Sequence, residues 1–373
     1  MRILQVCTKF GAGGIARHAV DLGLWLRRRG HTVYFAGATG ESLDREREEQ
    51  LFIVPITRVS SDSGKLVRIG HALSCAVKLR KFLKNHKVDL IHCHESAPAI
   101  VARLASIGMN IPILLTYHGS EPERVREFAQ IGRFTARQVI TPSHRSAADL
   151  INQGGLDKSK VRVIGLGIKK PPSIDDSIPA QLRKELLGKD GRLLVVVVAR
   201  VTYQKGIDIL IDVVERMQQQ RQDIRVVVVG GGPLLNEMKA LSKTRGIDGV
   251  LSFVGYSDQP HAYLRAADLF LLTSRWEALP ISIVEAFQAG LPVIAADTSG
   301  VAELVDSSVG DVLAIGDAEA FSQSVLRVCG DDGLRRKLAE AALERSREDR
   351  FSPDHIHEIF EKNYAVIIAD HPD

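Results

Sequence analysis

The chain has 373 residues, 45% of them hydrophobic and 25% charged, which is ordinary globular usage and excludes a largely disordered or fibrous protein. This length fits two domains of roughly 100–200 residues each, and no apolar run approaches the ~18 residues that span a bilayer. Formal net charge is +4, yet residues 1–170 carry 27 Lys and Arg against 14 Asp and Glu, while the remainder carries 22 against 31.

In chain order, the N-terminus runs directly into an apolar strand at residues 3–7. It lacks a basic segment followed by a long apolar one, so a signal peptide is not expected. Further short apolar runs rich in β-branched residues lie at 32–36, 88–93, 113–117, 139–141 and 161–164, with amphipathic stretches at 16–29, 65–86 and 143–153. Alternation of this kind predicts a parallel sheet covered by helices. Lys169-Lys170-Pro171-Pro172 followed by small polar and acidic residues reads as a linker. Uniformly apolar runs then recur at 193–199, 226–229, 251–254, 269–272 and 293–295, as strands buried on both faces do in doubly wound sheets. The segment 356–368 reads as an amphipathic helix. Two such α/β domains would leave a cleft, with ligands at the carboxyl ends of the strands. The four cysteines (Cys7, Cys75, Cys93, Cys329) form no Cys-x-x-Cys pair. That speaks against a disulfide framework or zinc site and for a reducing, cytoplasmic setting.

Gly11-Ala12-Gly13-Gly14-Ile15-Ala16 follows the first strand and opens a helix. It is open to three readings: a phosphate or sugar loop, a dinucleotide loop, or a plain tight turn. The dinucleotide reading lacks its acid at the end of the second strand, where none occurs before Glu41. In the second half, Gly230-Gly231-Gly232-Pro233, Gly255-Tyr256 and Ser299-Gly300 each follow a strand. Together they favour a bulky nucleotide lying close to the backbone. Arg200 and Lys205 follow the 193–199 strand and are placed to neutralise a departing diphosphate; the plainer reading is a surface pair with acidic neighbours. Glu277 and Glu285 flank the start of a helix that Pro280 suits. The plainer reading makes Glu277 a helix cap and Glu285 solvated, but Glu285 lies among Ile283, Val284, Ala286 and Phe287, where a carboxylate needs a partner. His92 and His94 alternate after a strand, with no third ligand at hand for a metal.

Glu277-x7-Glu285, followed by Ala286-Phe287-Gln288-Ala289-Gly290-Leu291-Pro292-Val293, resembles the E-x7-E signature of retaining, GT-B-fold glycosyltransferases of family 4 (glycosyl transferases group 1). Gly13-Gly14, Thr116-Tyr117-His118-Gly119, Arg200 with Lys205-Gly206, Gly230-x-Gly232 and Phe253-Val254-Gly255 are similar to that family's other motifs in place. The resemblance implies two Rossmann-like domains facing each other across a cleft. Residues 1–170 would form an acceptor-binding domain, 171–185 a linker and 186–348 a nucleotide-sugar domain, with 349–373 returning to the first domain. It implies a UDP- or GDP-sugar donor held by Arg200 and Lys205 (diphosphate), Glu285 (ribose), Glu277 (transferred sugar) and the segment Ala278, Leu279, Pro280, Ile281. Gly13, Gly14, Gly230, Gly232 and Tyr256 would complete the donor site. His118 would lie near the reaction centre, and Gly14, His94 and His118 would meet the acceptor. Anomeric configuration would be kept. No cofactor and no metal are expected, and the chain has no Asp-x-Asp.

Leu166-Gly167 stands where the family has Asn-Gly, and Ser299-Gly300 where it has a glycine pair. Lys78, Arg80, Lys81, Lys84 and Lys87, with Val77, Leu79, Phe82 and Leu83 between them, crowd one predicted helix, and Arg27-Arg28-Arg29 ends another. These suggest a glycan or lipid-linked acceptor and peripheral association with the anionic inner face of a membrane. No nucleic-acid motif is present. Competing functions are a nucleotide-sugar epimerase of the same fold and a non-catalytic nucleotide-sugar-binding protein.

Overall fold

The computed structural model describes residues 1–11, 13–40, 53–55, 64–189, 192–221 and 223–371. Ala12 of the glycine loop and Glu41 lie outside the described residues. The chain divides into two compact units, Met1–Gly167 with Pro353–Asp373, and Ile168–Ser352.

Unit 1 is built on a seven-stranded parallel sheet. Its strands are β1 (Arg2–Lys9), β2 (Thr32–Ala38), β3 (Ile53–Pro55), β4 (Leu90–Cys93), β5 (Ile113–Thr116), β6 (Gln138–Thr141) and β7 (Val161–Val163), in the order β3-β2-β1-β4-β5-β6-β7. The order reverses at β1, so the carboxyl ends of β1 and β4 form a topological switch point. There the Thr8 N–H donates to Glu95 Oε2 at 2.7 Å, tying the two strand ends together. β3 and the helices Ser96–Ala105 and Val125–Thr135 add to the elements expected from sequence. The helix Gly14–Arg28 starts at the glycine loop.

The helix Pro353–Ala369 belongs to unit 1 and buries Ile356, Phe360, Tyr364 and Ile367 against Ile3, Cys7, Leu90 and Leu114 of the sheet. Its spacing of four (356, 360, 364) places those side chains on one face. Gly167 lies against Pro353, where a Cβ would press on the proline backbone. One residue on, within unit 2, the Ile168 N–H donates to Phe351 O at 2.9 Å.

Unit 2 carries a six-stranded parallel sheet: β8 (Leu193–Val198), β9 (Ile224–Val229), β10 (Leu251–Gly255), β11 (Leu269–Leu272), β12 (Val293–Ala296) and β13 (Gly310–Leu313). The order is β10-β9-β8-β11-β12-β13, with the switch point at the ends of β8 and β11. Val195, Val197, Val226, Val228, Leu269 and Leu271 are at most 1% exposed, which is why these runs read as uninterrupted apolar sequence. The stretch 171–185 expected to be a linker is largely the helix Ser177–Leu187. It is anchored to unit 2 by Arg183, which pairs with Asp268 at 2.8 Å and donates to Ala266 O at 2.8 Å. Among the described residues no helix is long and apolar enough to cross a membrane.

Candidate active site

In unit 2 the loops after β8 and β11 are laced together. Gly206 adopts φ +61° and begins the helix Ile207–Gln220. A Cβ there would also strike Thr273 O, so both backbone conformation and space require glycine. Thr273 returns a hydrogen bond from Oγ1 to Gly206 O at 2.9 Å. The Arg275 N–H donates to Gln204 O at 2.7 Å, and Gln204 Nε2 donates to Trp276 O at 3.0 Å. Arg275 forks onto Asp208 at 2.8 and 2.5 Å and lies 4.1 Å over the Tyr203 ring.

This scaffold brings Lys205 and Glu277 into an ion pair, Nζ to Oε1. Ser274 Oγ donates to the same Oε1 at 2.7 Å. Glu277 is only 8% exposed, so its charge is held by a cation and a hydroxyl, as a buried carboxylate requires. Arg200 differs: its side chain is exposed and makes no ion pair with another described residue. The acidic neighbour of the plainer reading is present for Lys205, which pairs with Glu277. One reading from sequence is corrected: Glu277 is not a cap, since the N-cap of the helix Ile281–Gln288 is Pro280, without a side-chain cap.

Ala278 and Pro280 are buried, and Leu279, Ile281 and Glu285 half-buried. Gly300 packs on Ala278 O, where a Cβ would collide. The loop after β12 therefore supports the turn that starts this helix. Gly230 and Gly232 lie against Ala199 O and Val201 O, and the Val201 N–H donates to Gly231 O at 2.9 Å. These glycines are required by close approach of the Arg200 loop. Tyr256 projects from the end of β10, 71% exposed.

In unit 1 the predicted residues gather at the ends of β1, β4 and β5. Gly13 and Gly14 are exposed, and a Cβ on Gly13 would meet nothing within 4 Å. His94 and His118 stack, with centroids 5.8 Å apart, and His18 stands edge-on to both at 5.6 and 5.8 Å. His92 uses both ring nitrogens inside the protein: Nδ1 with Tyr364 Oη and Nε2 with Thr116 Oγ1, each at 2.6 Å. Burial pushes His92 down to about 3 and His118 to about 4. His18 and His94 are also lowered well below the ordinary imidazole value, by burial first and by neighbouring imidazoles second.

Residues 12–170 match the family model "Glycosyltransferase Family 4", and residues 180–345 match "Glycosyl transferases group 1". The chain belongs to this family of glycosyltransferases. It is 26% identical over 347 residues to the phosphatidyl-myo-inositol mannosyltransferase of Propionibacterium freudenreichii, covering 88% of this chain and 86% of that protein. It is 23% identical over 358 residues to the alpha-monoglucosyldiacylglycerol synthase of Streptococcus pneumoniae, covering 89% and 80%. Among solved structures, Anabaena HepE in complex with UDP and glucose aligns at TM-score 0.82 and 21% identity over 98% of this chain and 99% of that one. The fold is GT-B, made of two Rossmann-like units.

Sequence reasoning placed the charged residues of this glycosyltransferase but missed their supports, Ser274, Asp208 and Arg275. The signal for Ser274 was its place three residues before Glu277 in the loop after β11. It also missed His18, Gln5 and Tyr364, which distant strands and helices bring together.

The unfolded chain holds histidine near pKa ~6.5. The four clustered imidazoles have lowered values when folded, so their contribution to stability is complete above about pH 6.5 and is lost as pH falls toward 4. Calorimetry is expected to show a melting temperature lower by roughly 5 °C or more at about pH 5 than at about pH 7.5. Melting that is unchanged over that range would contradict the neutral cluster.

Proposed function

We propose that this glycosyltransferase is retaining and metal-independent, moving a sugar from a UDP- or GDP-sugar to a glycan, lipid-linked or small-molecule acceptor in cell-surface polysaccharide or glycolipid synthesis. The observation that carries the reading is the Lys205–Glu277 pair at the β8–β11 switch point, with exposed Arg200 on the same loop. Ligands of doubly wound sheets bind at such points. HepE, aligned with this chain, was solved with UDP and glucose.

In this reading the diphosphate lies between Arg200 and Lys205. Their charges offset the negative charge that grows on the leaving group as the glycosidic bond breaks. This is the task a metal would otherwise perform, and no cofactor is called on. Glu277 accepts hydrogen bonds from the transferred sugar, and its pairing keeps it ionised and aimed. Glu285 takes the ribose hydroxyls, and Tyr256 contacts the nucleoside. The first amides of the helix Ile281–Gln288, after Ala278, Leu279 and Pro280, face the phosphate or sugar. Gly230 and Gly232 hold the Arg200 loop in place. Unit 1 receives the acceptor through Gly14 and His118; His94, also expected there, is 1% exposed and stacks on His118 instead.

The lipid named for both relatives, phosphatidyl-myo-inositol and diacylglycerol, supports an acceptor at a membrane. So does the helix Lys65–Asn85. Leu79, Phe82 and Leu83 are in the core, whereas Leu66, Val67, Ile69, Leu73 and Val77 are between 49% and 85% exposed. Exposed Arg68, Lys78, Lys81 and Lys84 accompany them. An apolar face bordered by cations suits shallow insertion into an anionic leaflet.

With the donor that supports turnover, Glu277→Ala is expected to lower kcat about 100-fold or more with the fold intact. Arg200→Ala should weaken nucleoside-diphosphate binding about tenfold with an unchanged melting temperature. Near-normal kcat and affinity in these variants would overturn the assigned roles. Product analysis by proton NMR should show the donor's anomeric configuration; the opposite anomer would refute retention. Isomerised donor without transfer would point to an epimerase, and binding without turnover to a non-catalytic protein. Vesicle sedimentation should show preference for anionic over neutral lipid, and its absence would remove the membrane from the reading.

A further inference from the structure

The histidine cluster of unit 1 is joined to the helix Pro353–Ala369 by a buried chain of hydrogen bonds whose direction follows from the orientation of the Gln5 amide. Gln5, fully buried on β1, receives at Oε1 the proton of His94 Nε2, 2.7 Å away. Its Nε2 donates to Tyr364 Oη over a longer 3.4 Å. Tyr364 Oη, accepting there, sends its own proton to His92 Nδ1 at 2.6 Å. His92 then carries its proton on Nε2 and donates it to Thr116 Oγ1 at 2.6 Å, two residues before His118. With the Gln5 amide turned so that Oε1 faces His94 and Nε2 faces Tyr364, this arrangement satisfies each group's neighbours.

In this orientation of the Gln5 amide the chain sets a tautomer. With its proton on Nε2 and committed to Gln5, His94 bears a lone pair on Nδ1. That atom is buried and has no hydrogen-bond partner among the described residues, and the same holds for His18 Nε2 and His118 Nε2. These three nitrogens belong to three rings in mutual contact. His94 and His18 are 1% and 6% exposed, while His118 is only half-buried. Leaving buried polar atoms unpaired is costly, so the stack is organised to serve a group outside it. His118 is the member that reaches the surface.

We propose that Gln5 and Tyr364 are positioning residues for glycosyl transfer, which fix the tautomer of His94 and, with His18, orient the ring of His118 toward a hydroxyl-bearing acceptor. This rests on the acceptor-binding reading of unit 1. Neither residue touches the acceptor; both act through His94 and His118. The helix Pro353–Ala369 thereby contributes to the acceptor side as well as to the core, by hydrogen bonds through Tyr364 and by packing of Phe360 on His18 and His92. A hydroxyl suits the stack because burial keeps the rings uncharged, and a neutral imidazole both donates and accepts one hydrogen bond.

The full chain labelled with 15N in its imidazoles tests this directly, with the His94 signals assigned by their loss in His94→Gln. Wild-type His94 is expected to be protonated at Nε2, and Gln5→Leu to give a mixture of tautomers. Gln5→Glu, which retains an acceptor oxygen, should restore the Nε2 form. Kinetically, Gln5→Leu and Tyr364→Phe should each lower kcat with respect to acceptor about three- to tenfold, with the Kd for UDP or GDP unchanged. An Nδ1-protonated His94 in the wild type would overturn the proposal. So would an unchanged tautomer and kcat in Gln5→Leu, or equal losses in kcat and nucleotide affinity. If Gln5→Leu does not fold, the wild-type tautomer and Tyr364→Phe still decide. If no donor supports transfer, the functional reading fails while the tautomer measurement stands alone.

Discussion

The ion pair between Lys205 and Glu277 is the constraint around which unit 2 is arranged. Burying either charge alone would cost several kcal/mol, so the loops that carry them must be held together before the pair can form. Three devices do this: the left-handed Gly206 pressed on Thr273, the exchange of hydrogen bonds between Gln204 and the Arg275–Trp276 segment, and the Arg275–Asp208 fork. The pair is preorganised by contacts between the two loops rather than by the long Lys205 side chain. Preorganised charge stabilises a developing negative charge without reorganisation at the moment of reaction. Exposed Arg200 lies on the same loop after β8 as Lys205.

Unit 1 uses the same topology with opposite chemistry. At its switch point, beside Glu95, the side chains are imidazoles, a glutamine, a threonine and a tyrosine, and burial favours the neutral imidazoles. The helix Pro353–Ala369 closes this core and supplies the tyrosine. On the proposed reading, charged groups for an anionic donor lie in unit 2 and neutral hydrogen-bonding groups for a hydroxyl-bearing acceptor in unit 1. The basic excess of the first half of the chain lies elsewhere, much of it on the helix Lys65–Asn85.

How much was legible in sequence follows from how local each feature is. The strands of unit 2 could be read because burial on both faces leaves continuous apolar runs such as Val195–Val198. Glu277 and Lys205 could be placed because strand ends and helix starts are local signals. That they meet each other could not, since 72 residues separate them. Gln5 and Tyr364 lie 359 residues apart, and nothing in either neighbourhood announces the other. Gly230 and Gly232 read as room for a ligand, whereas they make room for the backbone of residues 199–201. β3, three residues long, is below what periodicity can detect. The polar, proline-led stretch before Ser177 concealed a helix because its amphipathic face is narrow, with Pro179 its only buried residue.

The most direct test is a crystal structure of this protein with the UDP or GDP that it binds. The diphosphate is expected at the carboxyl ends of β8 and β11, within hydrogen-bonding distance of Arg200 and of Lys205 Nζ, with Glu277 held by Ser274 alongside. A nucleotide bound away from these strand ends, with the Lys205–Glu277 pair untouched, would contradict the role assigned to that pair.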